Sequence, residues 1–497
     1  MENKKKSANP ESREALYTNM GKIIESFSPI LKENLIIKNA LDEIVDNKVS
    51  IIYDALLSLN IYIQYVNIEL AFILRACFRA NLDAEKRYSI KWINCIILES
   101  YKYLYGYGNG RKKSLWVSKV KPILKVINDQ EFEKKFISLE NQVIKFGESN
   151  ITNLMQRDLS FHYDLEPLLV YNMLMGLSEE EEVRRMISFM DLLQNISFFT
   201  SKYIIKYKVY IDIKPKSILK YAFTLSDFDI FRNGKDELYL ISEDTIKNHA
   251  QRLEKLIHQQ SLLDAIHSQF KNIDKNSMAP VYRIIEIQKV AIQLTFLYID
   301  LASALRAFIS SEYTIEKQLS VKQVNIIIYE GFNKLYGIND SQDSFWNKYI
   351  SPIISESVNE TTSDEFNSIE QEFQTLKLKI KTFSSNRQLS VHLHEGIPKV
   401  YSMLHYLNPI EELQKALLLL NFLPKILNFL TGCLHLIDLK NQVINEKRIA
   451  SNNEQIDKII SLLKKVPNNR QKDDLIKMLD RFKNGEFFDE IKSRKKK

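Results

Sequence analysis

"IIYDALLSLNIYIQYVNIELAFILRACFRA", residues 51–80, holds no glycine and no proline. Its apolar residues predict one long buried helix. Near its end stands "LRA", Leu74 to Ala76, and the same letters recur at Leu305 to Ala307. The echo then continues. "SIKWIN" (Ser89–Asn94) is answered by "SVKQVN" (Ser320–Asn325), and "IILES" (Ile96–Ser100) by "IIYEG" (Ile327–Gly331). "LYG" begins at Leu104 and again at Leu335, "SLW" (Ser114–Trp116) is answered by "SFW" (Ser344–Trp346), and Pro122 by Pro352. Every offset is 230 or 231. A run of matches at one period is the mark of a repeat, so the sequence predicts a tandem duplication.

Each unit reads as a helical bundle. After the long apolar helix, "YSIKWINCIILESYKYLYG" gives a second helix that stops at Gly106. "DQEFEKKFISLENQVIKF" is amphipathic, with Phe132, Phe136, Leu139 and Val143 on one face. "LSEEEEVRR", Leu177 to Arg185, reads as a helix start with acids in its first turn. The expected fold is all-α: a basic tail over 1–22, unit one over 23–206, a connector over 207–247, unit two over 248–439, and a helical appendage with a basic tail over 440–497. In the connector, "VYIDI" and "ELYLI" alternate like strands around Asn233-Gly234, which predicts a small hairpin.

Composition agrees. Hydrophobic residues make up 45% of the 497, enough for a core, and only 12 Gly and 11 Pro argue against a turn-rich all-β fold. The net charge of +7 permits contact with a nucleic-acid backbone without demanding it. Three cysteines, none in a C-x-x-C pair, point to a reducing cytoplasm rather than a disulfide scaffold. "MENKKKSANPESRE" has no apolar segment behind its lysines, so no signal peptide is expected. "ALLLLNFLPKILNFLTGCLHLI", Ala416 to Ile437, is broken by Pro424, Lys425 and Asn428 and reads as one or two buried helices, with no membrane partner. P-loop, G-x-G-x-x-G and G-x-S-x-G motifs are absent from the sequence.

Both units carry an Arg, four residues, then a His. The first is Arg157 to His162 in "MQRDLSFHYDLEP", the second Arg387 to His392 in "SNRQLSVHLHEGIP". Residues five apart stand about 140° apart on a regular helix. For Arg and His to act together, a helix must therefore begin between them, or the partner group must come from elsewhere. Ser160 and Ser390 are good N-cap residues there, and Pro167 and Pro398 suit a first helical turn. Free backbone N–H groups at such a start favour a phosphate. The pairing suits RNA phosphodiester cleavage, in which the 2′-hydroxyl is the nucleophile. His supplies base and acid near neutral pH, and Arg clamps the developing charge. No cofactor or metal is expected. His392 and His394 have no third ligand at a familiar spacing, and His249, His258 and His267 read as surface residues.

An all-helical unit with an Arg-x4-His near the start of a late helix resembles the HEPN superfamily. That superfamily includes toxins, abortive-infection proteins and the RNA-cleaving effectors of type VI CRISPR systems. The resemblance implies that the two units face each other and that Arg157, His162, Arg387 and His392 form one composite ribonuclease site. Asp158, Ser160, Asp164, Gln388 and Ser390 would support it. Asp158 fits the polar position that usually follows the Arg, whereas Gln388 departs from it, which leaves open whether both units are catalytic. The resemblance also implies RNA as substrate and some restraint on the enzyme: an antitoxin, a trigger protein or a guiding RNA. The other reading left open is a non-catalytic helical module that binds RNA or protein, and an oligomer fits either reading.

Overall fold

Helix α2, Lys48–Arg79, is buried on nearly every side. Helices apolar all round belong in a core or a membrane. Here the core is the chain's own, for α1, Pro10–Leu41, lies along α2. The computed structural model describes residues 10–41, 48–127, 129–151, 166–208, 235–269, 275–338, 343–357, 360–381 and 397–445, with isolated positions between 458 and 480. Among the described residues every regular element is helical and no strand occurs.

The elements run in one order and then run in it again. Helix α3 spans Asp83–Leu104, and a short π-helical turn spans Trp116–Val120. Then come α4, Gln130–Asn150, α5, Pro167–Gly176, and α6, Glu179–Lys208. The second pass opens with α7, Lys235–Gln269, and α8, Lys275–Ser310. It continues with α9, Thr314–Leu335, a turn at Trp346–Ile350, and α10, Ser351–Ser357. Last are α11, Glu360–Lys381, α12, Ile397–Tyr406, and α13, Pro409–Asn445. Helix α9 starts 231 positions after α3 (83 to 314), and α11, α12 and α13 start 230 after α4, α5 and α6 (130, 167 and 179 to 360, 397 and 409). Packing follows the same rule: α7 lies along α8 as α1 does along α2, and α13 covers α8 and α9 as α6 covers α2 and α3.

Local chemistry explains the boundaries. Gly106 and Gly337 have φ of 75° and 92°. A side chain resists that left-handed backbone, so glycine ends the helix there. The Gly106 N–H returns to the Tyr101 carbonyl at 3.1 Å, and the Gly337 N–H to that of Phe332 at 3.3 Å. Trp116 and Trp346 are both fully buried. Each stacks on the Phe of its amphipathic helix, Phe136 and Phe366, with ring centroids 4.9 and 5.4 Å apart.

Between the halves lies a boundary of exchanged ion pairs. Arg75 Nε meets Glu316 Oε1 at 2.8 Å, and Arg306, 231 positions after Arg75, pairs through Nε with Glu85 Oε1, 231 before Glu316. Lys91 pairs with Asp300, and Lys322 with Glu69, again an exchange at 231. Each of these pairs is thus matched by a second, 231 positions away, in which the acid and the cation have changed places. All four cations are buried. Each arginine also lies over a tyrosine, Arg75 on Tyr17 at 4.0 Å and Arg306 on Tyr239 at 3.7 Å from the ring centroid.

Four sequence expectations need correction. "ELYLI" is the start of α7, not a strand, because Tyr239, Ile246, Leu253 and Ile257 recur at helical spacing and face inward. The hairpin's other strand and Asn233-Gly234 lie outside the described residues. Helix α1 begins at Pro10, inside the stretch expected as a tail. His249 and His267 are half-buried rather than surface residues, His249 stacked on Tyr298 at 4.0 Å and His267 against the Tyr282 hydroxyl at 2.7 Å. Helix α13 runs unbroken through Pro424 and is only partly buried, leaving Leu417 and Leu418 about 40% exposed. Three segments are long and apolar enough to cross a membrane: Ser50–Arg79, Val281–Ser310 and Pro409–Leu434. In the first two, 94% of the apolar window is buried within the protein, against 44% in the third.

Candidate functional site

Residues 152–165 and 382–396 lie outside the described residues. They include Arg157, Asp158, Ser160, His162 and Asp164 in the first half, and Arg387, Gln388, Ser390 and His392 in the second. What the structure provides is the frame around each segment. The first joins α4 to α5, the second α11 to α12. Pro167 is the first residue of α5 and Pro398 the second of α12, the positions where proline costs a helix no hydrogen bond.

Where α4 ends, Arg185 of α6 gathers three elements. Its Nη1 donates to the Asn150 carbonyl at 3.4 Å, and its Nη2 donates to Asn94 of α3 and to Glu182. A cation beside the last carbonyls of a helix is favoured by the helix dipole. Burial dominates the titration of this pair: desolvation raises the Glu182 carboxyl and lowers the Arg185 guanidinium, each against the pull of the other. Asn94 is wholly buried, and its Nδ2 has no partner among the described residues.

The second half repeats the arrangement with different chemistry. Asn325, Glu412 and Lys415 stand 231, 230 and 230 positions after Asn94, Glu182 and Arg185. Asn325 Nδ2 donates to Glu412 at 2.9 Å, and Lys415 reaches Glu412 at 2.7 Å. Asn325 Oδ1, too, has no partner among the described residues. Each half thus has a buried Asn and Glu with a partly buried cation, on α3 and α6 in the first half and on α9 and α13 in the second.

At the other end of the first segment, Glu166 precedes α5 and meets Lys289 of α8 at 2.8 and 2.9 Å. Helix α5 then lies against α3, α7 and α8, and Arg87 donates to the Leu174 carbonyl at 3.3 Å. Helix α12 lies against α9 and α2. So the helix after each segment touches the central helix of the opposite half. A cavity of about 230 Å³ opens beside α5, walled by Tyr88, Tyr171, Phe296 and the Lys91–Asp300 pair.

Among the described residues no three or more His, Cys, Asp or Glu cluster as metal ligands. Cys77, Cys95 and Cys433 are buried and form no disulfide with one another, and burial pushes the Cys77 and Cys433 thiols up to about 12, far from a reactive thiolate.

Sequence reasoning missed the Asn–Glu–cation clusters and the boundary arginines. Their signal was present: Asn94 and Asn325 close the matched "SIKWIN" and "SVKQVN", and Arg75 and Arg306 are the centre of each "LRA". Compared with models of protein families, with curated proteins and with solved structures, the chain has no match in any of the three.

Proposed function

We propose that the chain is a HEPN-type RNA endonuclease, a tandem duplication folded into an intramolecular pseudo-dimer with a composite site from its two Arg-x4-His segments. The observation that carries this reading is the exchange of partners. The helix that follows each segment packs on the opposite half's central helix, so the residues after each segment lie at the boundary between halves. The exchanged ion pairs at that boundary are what a self-complementary interface written in one chain requires.

The reaction asks little of the protein. One His, neutral, takes the proton of the 2′-hydroxyl as its oxygen attacks phosphorus. The other His, protonated, gives a proton to the departing 5′-oxygen. A 2′,3′-cyclic phosphate and a 5′-hydroxyl result, and the two histidines have exchanged protonation states. Arg157 and Arg387 hold the phosphorane oxygens, whose charge grows in the transition state. His162 and His392 fill the base and acid roles.

The test is cleavage of tRNA, rRNA and single-stranded RNA in EDTA by the wild type beside Arg157→Ala/His162→Ala. Cleavage that survives EDTA and is lost in the variant supports the assignment. Equal cleavage by both proteins overturns it, and absence of cleavage by folded wild type favours a binding module.

A further inference from the structure

The two halves differ where α4 meets α6. There a groove of about 720 Å³ is lined by Lys134, Lys135, Phe198, Lys202 and Tyr203. Phe198 is 69% exposed, unusual for a phenyl ring with an apolar core available to it. It does not lie on a soft surface. Phe199 and Tyr203 line the same groove, with Phe132 4.9 Å from Phe199 and 4.6 Å from Tyr203 between centroids. Lys134 and Lys135 are exposed and make no ion pair among the described residues. Lys202 is held by Glu131 at 2.8 Å and Lys206 by Asp129 at 3.3 Å, so two cations are free and two are tethered at the rim.

The second half is an internal control. At the positions 230 later stand Asp364 for Lys134, Glu365 for Lys135, Asn428 for Phe198 and Gly432 for Lys202. Of the packing residues, Phe136 and Phe199 are matched by Phe366 and Phe429, whereas Phe132 and Tyr203 give way to Thr362 and Cys433. The packing is therefore shared in part, and the surface chemistry is not shared. Aromatic face and free cations are present together in one half and absent together in the other.

We infer that the α4–α6 groove of the first half binds single-stranded RNA, a base stacking on Phe198 with Lys134 and Lys135 on its flanking phosphates. An aromatic platform beside cations is the common design for holding single strands without reading sequence. This rests on the ribonuclease reading and extends it, for the groove would be a holding site away from the chemistry. Helix α4 rises 1.5 Å per residue, so Lys135 stands roughly 20 Å from Asn150, where the first Arg–His segment begins. The RNA would then enter the composite site from the first half only.

The experiment is fluorescence anisotropy on the full chain with a 2′-O-methyl uridine oligomer of about 12 nucleotides, which cannot be cleaved, alongside cleavage of ordinary RNA. Phe198→Ala, and separately Lys134→Glu/Lys135→Glu, are expected to weaken binding about fivefold to a hundredfold, with thermal melting unchanged. The lysine variant also flattens the salt dependence of binding. Asn428→Ala and Asp364→Ala/Glu365→Ala leave affinity as in the wild type. Unchanged affinity in both groove variants, or wild type that cleaves RNA yet does not bind the oligomer, overturns the groove while sparing the ribonuclease. Wild type that neither binds nor cleaves overturns both.

Discussion

Arg75 and Glu316 meet across the boundary with a division of labour inside one carboxylate. Oε1 of Glu316 takes the Arg75 Nε at 2.8 Å, while Oε2 accepts the backbone N–H groups of Glu312 and Tyr313 at 2.7 and 3.2 Å. Glu85 does the same with Arg306 on Oε1 and the N–H groups of Asn81 and Leu82 on Oε2. The residue that starts a helix in one half thus also holds an arginine of the other.

Breaking either pair is expected to be costly. Glu316→Ala strands a buried arginine and uncaps α9, and should destabilise by about 3–5 kcal/mol. Arg75→Met/Glu316→Leu together should cost less than the sum of the single changes, because the two fully buried charges leave together and only the less buried Arg79 and Glu312 lose a contact. Arg306→Ala should match Arg75→Ala within about 1 kcal/mol, since the two sit in matching surroundings. Urea unfolding measures all four. Additive losses would mean the pairs are not coupled.

A composite ribonuclease site makes a sharper demand than two separate ones. His162→Ala and His392→Ala should each lower cleavage by about a hundredfold or more, and the double variant should fall little further. Two independent sites would instead show roughly half the activity in each single variant. Single-turnover cleavage of a labelled RNA separates the two patterns.

Arg185 is expected to position rather than react. Arg185→Ala opens the cluster at the end of α4 and should destabilise by about 2–4 kcal/mol. Arg185→Lys should recover part of that, because the second half uses Lys415 at the same place. If the cluster orients the first Arg–His segment, Arg185→Lys will also shift the pH profile of cleavage, which a loss of stability alone does not do. A profile identical to wild type would confine the residue to stability.

His249 gives a pH dependence of known sign. Burial, with Arg252 nearby, lowers its pKa to about 4, and its ring lies flat on Tyr298. The unfolded chain takes up that proton near pH 6.5, and the folded chain only near 4. Stability from this group is thus complete above about 6.5 and is lost as pH falls from there to 4. The ring is partly exposed, so the loss is screened to about 1–2 kcal/mol. Tm measured from pH 7 to 4 should fall less steeply in His249→Gln, and an unchanged slope would remove His249 from the account.

Much of the fold was legible because its signals are local or periodic. The length of α2, the amphipathic face of α4 and the stop at Gly106 each follow from residues within a few turns. The repeat was legible because matches at one offset accumulate. "ELYLI" was misread because a two-residue alternation says nothing of a partner, and Tyr239 is placed by Arg306, 67 residues later. The role of "LRA" was hidden for the same reason: an arginine in an apolar helix gives no hint of a glutamate 241 positions away. The Arg-x4-His pairs were visible as letters, while the groups that bracket them, Asn94, Arg185 and Lys289, come from three distant helices.

The proposed pseudo-dimer, two copies of one surface within a single chain, has a further consequence. In an assembly of identical subunits any new feature is made twice, once per copy, and must be tolerated in both places. Covalent linkage lifts that restriction. The exchanged pairs hold the halves to a common frame, and outside that frame they are free to specialise. Lys134 facing outward in one half and Asp364 in the other is what such freedom looks like: a matched scaffold whose two outer surfaces have parted company.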